Sequence, residues 1–78
     1  MGDVLYIVVP CYNEEAVLPE TQKELGNKLE TMITAGAVSE KSRIIFVDDG
    51  SKDKTWELIE KYHSENPRIG GVKLAHNR

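Results

Sequence analysis

The 78-residue sequence holds one cysteine, Cys11, and two widely separated histidines, His63 and His76. A single cysteine excludes an internal disulfide and any zinc site built on several thiolates, and two distant histidines form no metal-ligand cluster. No apolar run approaches the ~20 residues of a membrane span. The opening Met1-Gly2-Asp3 lacks the basic head and small-residue cleavage site of a signal peptide. Positive charge is in the minority: ten Lys and Arg stand against thirteen Asp and Glu, for a net charge of −3. That balance argues against a general nucleic-acid or anionic-membrane surface, each of which needs a basic patch. Internal repeats, low-complexity tracts and linkers are also missing. What remains is 40% hydrophobic and 29% charged, the balance of one small, ordered domain. The expectation is a cytosolic, soluble, reduced chain.

The apolar residues come in two patterns. Val4-Leu5-Tyr6-Ile7-Val8-Val9 and Arg43-Ile44-Ile45-Phe46-Val47 are short β-branched runs, the first ended by Pro10 and the second by Asp48-Asp49-Gly50-Ser51. Unbroken apolarity of this kind marks buried parallel strands covered on both faces. Val72-Lys73-Leu74-Ala75 alternates instead and reads as a half-exposed edge strand. Between these lie two helical patterns. Leu18, Leu25, Leu29, Met32 and Ile33 share a helix face, with Pro19 suited to the first turn and Gly36 to the C-terminal cap. Trp56, Ile59 and Tyr62 recur at threes, with Ser51, Asp53 or Thr55 as cap and Asn66-Pro67 as stop. The order βαβαβ predicts a Rossmann-like parallel sheet with right-handed crossovers.

A strand order of 3-2-1 places both helices on one face and leaves the other bare. A soluble monomer rarely tolerates that, and a domain of this size is already marginal. The expectation is therefore an incomplete domain, the front end of a larger one, or a chain whose bare face is covered by another copy through self-association.

Polar residues gather where strands one and two end, the edge at which open parallel sheets bind ligands. Pro10-Cys11-Tyr12-Asn13-Glu14-Glu15 follows the first strand and Asp48-Asp49-Gly50-Ser51-Lys52-Asp53 the second. No P-loop and no G-x-G-x-x-G occurs there. A phosphatase of the D-x-D-G-T type needs an Asp where Val47 stands, and a receiver site would carry its acidic pair after the first strand. Recognition of a base and ribose fits better: Tyr12 can stack on a flat ring, and a carboxylate can accept from a ring N–H or a ribose hydroxyl.

Ile7-Val8-Val9-Pro10-Cys11-Tyr12-Asn13-Glu14-Glu15 and Phe46-Val47-Asp48-Asp49-Gly50-Ser51-Lys52-Asp53-Lys54-Thr55 resemble the two N-terminal signatures of family-2 glycosyltransferases of the GT-A fold. Leu74-Ala75-His76-Asn77-Arg78 resembles the start of that family's third segment. The resemblance spans residues 1–78 and points to the branch acting on polyprenyl phosphates, dolichyl or undecaprenyl. It implies the N-terminal nucleotide-binding part of a transferase that moves a sugar from a nucleotide-diphosphate donor, with Mg²⁺ or Mn²⁺, to an acceptor such as a polyprenyl phosphate.

By the same resemblance Pro10, Tyr12 and Glu14 line the nucleotide pocket, and Val47 and Asp49 contact the base. Asn13 and Asp48 join this nucleotide-binding set while chiefly holding the loops in shape. The metal-binding D-x-D motif, the catalytic base and the acceptor site of the family lie beyond Arg78, so no catalytic or metal-ligating residue is assigned in this chain. The fragment alone is expected to be inactive, and its parent to sit at the cytoplasmic face of a membrane. The rival reading is a non-catalytic βαβαβ module that holds a nucleotide or mediates assembly.

Structural roles compete at each position. Asp48 and Asp49 can complement the dipole of the second helix, and Asp53 can cap it. Glu15, Lys52 and Lys54 read as solvated. Cys11 reads as a small buried hydrophobe, Trp56 and Tyr62 as core, His63 as surface or rim, and His76 as a residue near the terminus, with an approach to the pocket edge as its lesser reading.

Overall fold

A computed structural model describes residues 2–74. Its elements are β1 (Tyr6–Cys11), α1 (Leu18–Thr34), β2 (Arg43–Asp48), α2 (Thr55–Glu65) and β3 (Ile69–Lys73). The three strands form one parallel sheet in the order β1-β2-β3, with β2 at the centre.

The first strand begins two residues later than its apolar run and continues through Pro10 to Cys11. Proline is tolerated there because its nitrogen is not needed for the ladder with β2. The N–H of Asp49 donates to Cys11 O at 2.9 Å and that of Arg43 to Leu5 O at 2.9 Å. Odd-numbered residues therefore face β2, and the nitrogen of Pro10 points to the free edge, where no ladder bond is lost. Below the strand, the N–H of Leu5 donates to the buried Ser42 Oγ at 2.8 Å.

α1 carries proline in its first turn. It ends as its sequence signals: Gly36 takes φ +78°, its N–H reaches Ile33 O, and the N–H of Ala37 reaches Met32 O. This pair of bonds satisfies carbonyls that a helix terminus otherwise leaves without partners. Leu18 and Leu29 are buried, with Leu25, Met32 and Ile33 packed around them. From α2, Ile59 and Tyr62 enter the same core and Trp56 covers its margin. An ion pair between Arg68 and Glu30 ties α1 to the turn that leads into β3.

β3 lies three residues upstream of its predicted start. Gly70 and Gly71 resemble a turn in sequence, yet they sit inside the strand. A Cβ on Gly71 would come within 2.4 Å of Ile59 Cγ2 and 3.2 Å of the Trp56 ring. The missing side chains let α2 approach the sheet, while Ile69, 1% exposed, anchors the strand in the core. Ala75, which the alternation placed in this strand, is outside the described residues, as are His76, Asn77 and Arg78.

The two faces of the sheet differ sharply. In β2, Ile44, Phe46 and Asp48 are buried and Arg43, Ile45 and Val47 only half-buried. Ile7, Val9 and Cys11 share the buried side. On the opposite face Tyr6 and Val8 are 62% and 61% exposed, and Val72 is 44% exposed. The bare apolar face expected from the strand order is present. Among the described residues, no helix is long and apolar enough to cross a membrane.

Candidate functional site

The register of β1 against β2 brings the two polar loops together. Pro10 pairs with Val47 and Cys11 with Asp48, so residues 12–15 and 49–54 leave the sheet side by side. Pro10 and Val47 share the uncovered face, and Tyr12 follows them, 52% exposed. Of the sequence candidates, Pro10, Tyr12, Val47 and Asp49 thus meet at one end of the sheet, opening on the face that no helix covers. Glu14 stands on the other flank. With Pro10, Cys11, Val17, Leu18 and Thr21 it lines a small cavity of about 180 Å³ beside the free edge of β1.

The loops are stitched together by side chains that accept from the opposite backbone. The N–H of Asn13 donates to Ser51 Oγ at 2.8 Å, and the N–H of Lys52 donates to Asn13 Oδ1 at 2.8 Å. The N–H of Glu14 donates to Thr55 Oγ1 at 2.9 Å, and that of Glu15 to Asp53 Oδ2 at 3.1 Å. Asn13 adopts φ +51°, a left-handed conformation that Asn tolerates better than most side chains. Asp48 is wholly buried; its Oδ1 accepts from the N–H of Ser51 at 3.1 Å, which folds the second loop back on itself. Its Oδ2 is buried and has no hydrogen-bond partner among the described residues.

Asp53 stands one residue before the N-cap Lys54 of α2, its Oδ1 accepting from the N–H of Thr55 at 2.9 Å and from the Thr55 hydroxyl. The Thr55 hydroxyl bond is the main influence holding the Asp53 carboxyl below its ordinary value; partial desolvation works against it. Burial pushes the Cys11 thiol up, and the negative charges of Glu14 and Asp48 push it further. It is therefore a protonated, buried group and no nucleophile at neutral pH. His63 is exposed, but its Nδ1 lies 2.6 Å from Ile69 O, at the start of β3.

Sequence reasoning missed Ser51, Thr55 and Glu15 as members of this network. In sequence each points to its own helix or to solvent, whereas its partners lie some forty positions away. The pairing of the two strands is the only signal that links them.

Electrostatics limit what the crevice can hold. Glu14, Glu15, Asp48, Asp49 and Asp53 share these loops with only Lys52 and Lys54. The first amides of α2 face carboxylates, Thr55 N–H that of Asp53 and, at 3.5 Å, Lys54 N–H that of Glu15. An anionic phosphate would meet these carboxylates at the start of α2. Polar N–H and hydroxyl donors, as on a base and a ribose, fit the acceptors better. Among the described residues there is no group of three or more His, Cys, Asp or Glu able to hold a metal ion.

The model of "Glycosyl transferase family 2" matches residues 6–78. The chain belongs to that family. Three relatives illustrate its surroundings. An uncharacterized glycosyltransferase, YkoT, of Bacillus subtilis is 49% identical over 95% of this chain and 22% of its own length. The dolichyl-phosphate beta-glucosyltransferase ALG5A of Trichomonas vaginalis is 41% identical over 83% of the chain and 20% of its own length. The undecaprenyl-phosphate 4-deoxy-4-formamido-L-arabinose transferase of Shewanella sediminis is 33% identical over 96% and 21%. The chain thus spans about a fifth of the length of these relatives. No solved structure matches the chain significantly. Three parallel strands and two helices are the α/β, Rossmann-like arrangement expected for the N-terminal part of a GT-A fold.

Proposed function

We propose that residues 1–78 are the nucleotide-binding part of a family-2 catalytic domain, and that the whole protein transfers a sugar from a nucleotide-diphosphate donor to a polyprenyl phosphate. The observation that carries this reading is the meeting of Pro10 and Tyr12 with Val47 and Asp49 at the carboxyl end of the sheet, within a chain of this family. In it, Tyr12 stacks on the base, Pro10 and Val47 form the apolar floor, and the Asp49 carboxylate accepts from a ring N–H. Glu14 accepts from the ribose side, while Asn13 and Asp48 shape the loops rather than touch the ligand.

The acidic loops favour this orientation. They attract N–H and O–H donors and repel phosphate, so the diphosphate lies outward, where a cation must offset its charge. The Mg²⁺ or Mn²⁺ that family membership implies would be held by groups outside these loops, and no step is assigned to it here. Dolichyl- and undecaprenyl-phosphate transferases among the relatives support the polyprenyl acceptor, and with it a site of action at the cytoplasmic face of a membrane.

The test is a titration of uridine and guanosine diphosphates against the polypeptide as its gene encodes it, with and without Asp49→Ala. Loss of a charged acceptor costs about 1.5–3 kcal/mol, so affinity for one of the two should fall about tenfold to a hundredfold. Unchanged affinity would reduce Asp49 to a loop residue and remove the basis for the site.

A further inference from the structure

Residues 11 and 13–15 are each bonded to the loop after β2, and Tyr12 stands between them. The N–H of Asp49 reaches Cys11 O on one side of it. On the other, Asn13 makes a two-way exchange, its N–H donating to Ser51 Oγ and its Oδ1 accepting from Lys52 N–H, both at 2.8 Å. Asn13 makes this exchange from a left-handed conformation, φ +51°, one that Asn adopts more readily than most residues. The exchange fixes the direction in which the chain leaves β1 and leaves the neighbouring ring outside, 52% exposed.

We propose that Asn13 is a positioning residue: with Ser51 it clamps the two loops so that the Tyr12 ring is held ready over the crevice before a ligand arrives. The effect on affinity rests on the nucleotide reading above; the clamp itself does not. Preorganisation of this kind strengthens binding because the ordering cost is met on folding rather than on association. The clamp uses the backbone-facing Oδ1 of Asn13, so its amide group is not required to touch the nucleotide.

The conservative series separates the two roles. Asn13→Gly keeps, and eases, the positive φ but removes Oδ1; Asn13→Asp keeps both an acceptor and tolerance of the left-handed region. Ser51→Ala removes the other half of the exchange and leaves the Ser51 N–H on Asp48. In the polypeptide as encoded, Asn13→Gly and Ser51→Ala should each weaken binding of the preferred diphosphate, uridine or guanosine, about three- to tenfold, the range of one ordinary hydrogen bond. The double variant should be little worse than either single one, because both act on one device, and Asn13→Asp should recover most of the loss. Strict additivity would overturn the clamp. So would failure of Asn13→Asp with a silent Ser51→Ala, since that pattern belongs to an Asn13 amide touching the ligand.

Amide hydrogen exchange supplies a readout that needs no ligand. The Asn13 and Lys52 amides should exchange slowly in the unaltered protein and faster in Asn13→Gly and Ser51→Ala. Fast exchange at both sites in the unaltered protein overturns the clamp whether or not a nucleotide binds. Slow exchange with no binding of either diphosphate leaves the clamp standing and overturns the nucleotide reading instead.

Discussion

Tyr12 and Asp53 show how differently two loop residues act although their loops touch. Tyr12 is exposed at the crevice, and its proposed part is to stack. Tyr12→Phe should keep nucleotide affinity within about twofold, whereas Tyr12→Ala should lose roughly tenfold, since base stacking on an aromatic ring contributes about 1–3 kcal/mol. Calorimetric titration of the three proteins measures this, and equal losses in Phe and Ala would assign the binding to the hydroxyl. Asp53 acts on folding. Its folded pKa lies below the ordinary 3.8, chiefly through the Thr55 hydroxyl bond. The ionised group therefore stabilises the fold above that value, and the benefit is lost as pH falls through the lower folded pKa. Thermal unfolding from pH 6 down to pH 2 should show a steeper loss of stability below about pH 4 than it does in Asp53→Asn. Parallel curves would mean that the Asp53–Thr55 bond carries no charge-linked stability.

At the scale of elements, the sequence was clearest where one period dominates. The apolar run at 43–47 and the leucine stripe of α1 gave β2 and α1 almost to the residue, with Gly36 closing the helix as expected. Legibility failed at two edges for physical reasons. Pro10 reads as a strand end because proline removes a donor, but its nitrogen faces away from β2, so the ladder between β1 and β2 loses no bond. Gly70 and Gly71 read as a turn because glycine weakens strands, but here their bareness admits α2. Gly71→Val should therefore destabilise the fold by about 1–3 kcal/mol, the usual cost of overpacking, because Ile59 is fully buried and cannot give way. Chemical denaturation measures it, and a neutral result would mean that α2 can shift outward. The candidate site was legible in part: its loops and Tyr12 could be read locally, while the Asn13–Ser51 exchange depends on strand register and could not.

Taken whole, the molecule is one-sided. Helices cover Ile44 and Phe46, and Tyr6, Val8 and Val72 stand exposed on the opposite face with nothing described over them. The 78-residue chain expressed alone should self-associate through that face, and sedimentation should show a mass above 8.8 kDa that rises with concentration. Replacing Tyr6 and Val8 by Lys should return it towards the monomer; a dispersed monomer before any replacement would mean that the face is tolerated in water.

The most direct test of the nucleotide site is deuterium exchange by mass spectrometry on the polypeptide as encoded, with and without saturating uridine or guanosine diphosphate. One of the two should slow exchange in peptides covering residues 9–15 and 46–54, and leave the α1 surface around residues 23–31 unchanged. Binding that protects other regions while these two loops exchange as before would contradict a nucleotide site at the carboxyl ends of β1 and β2.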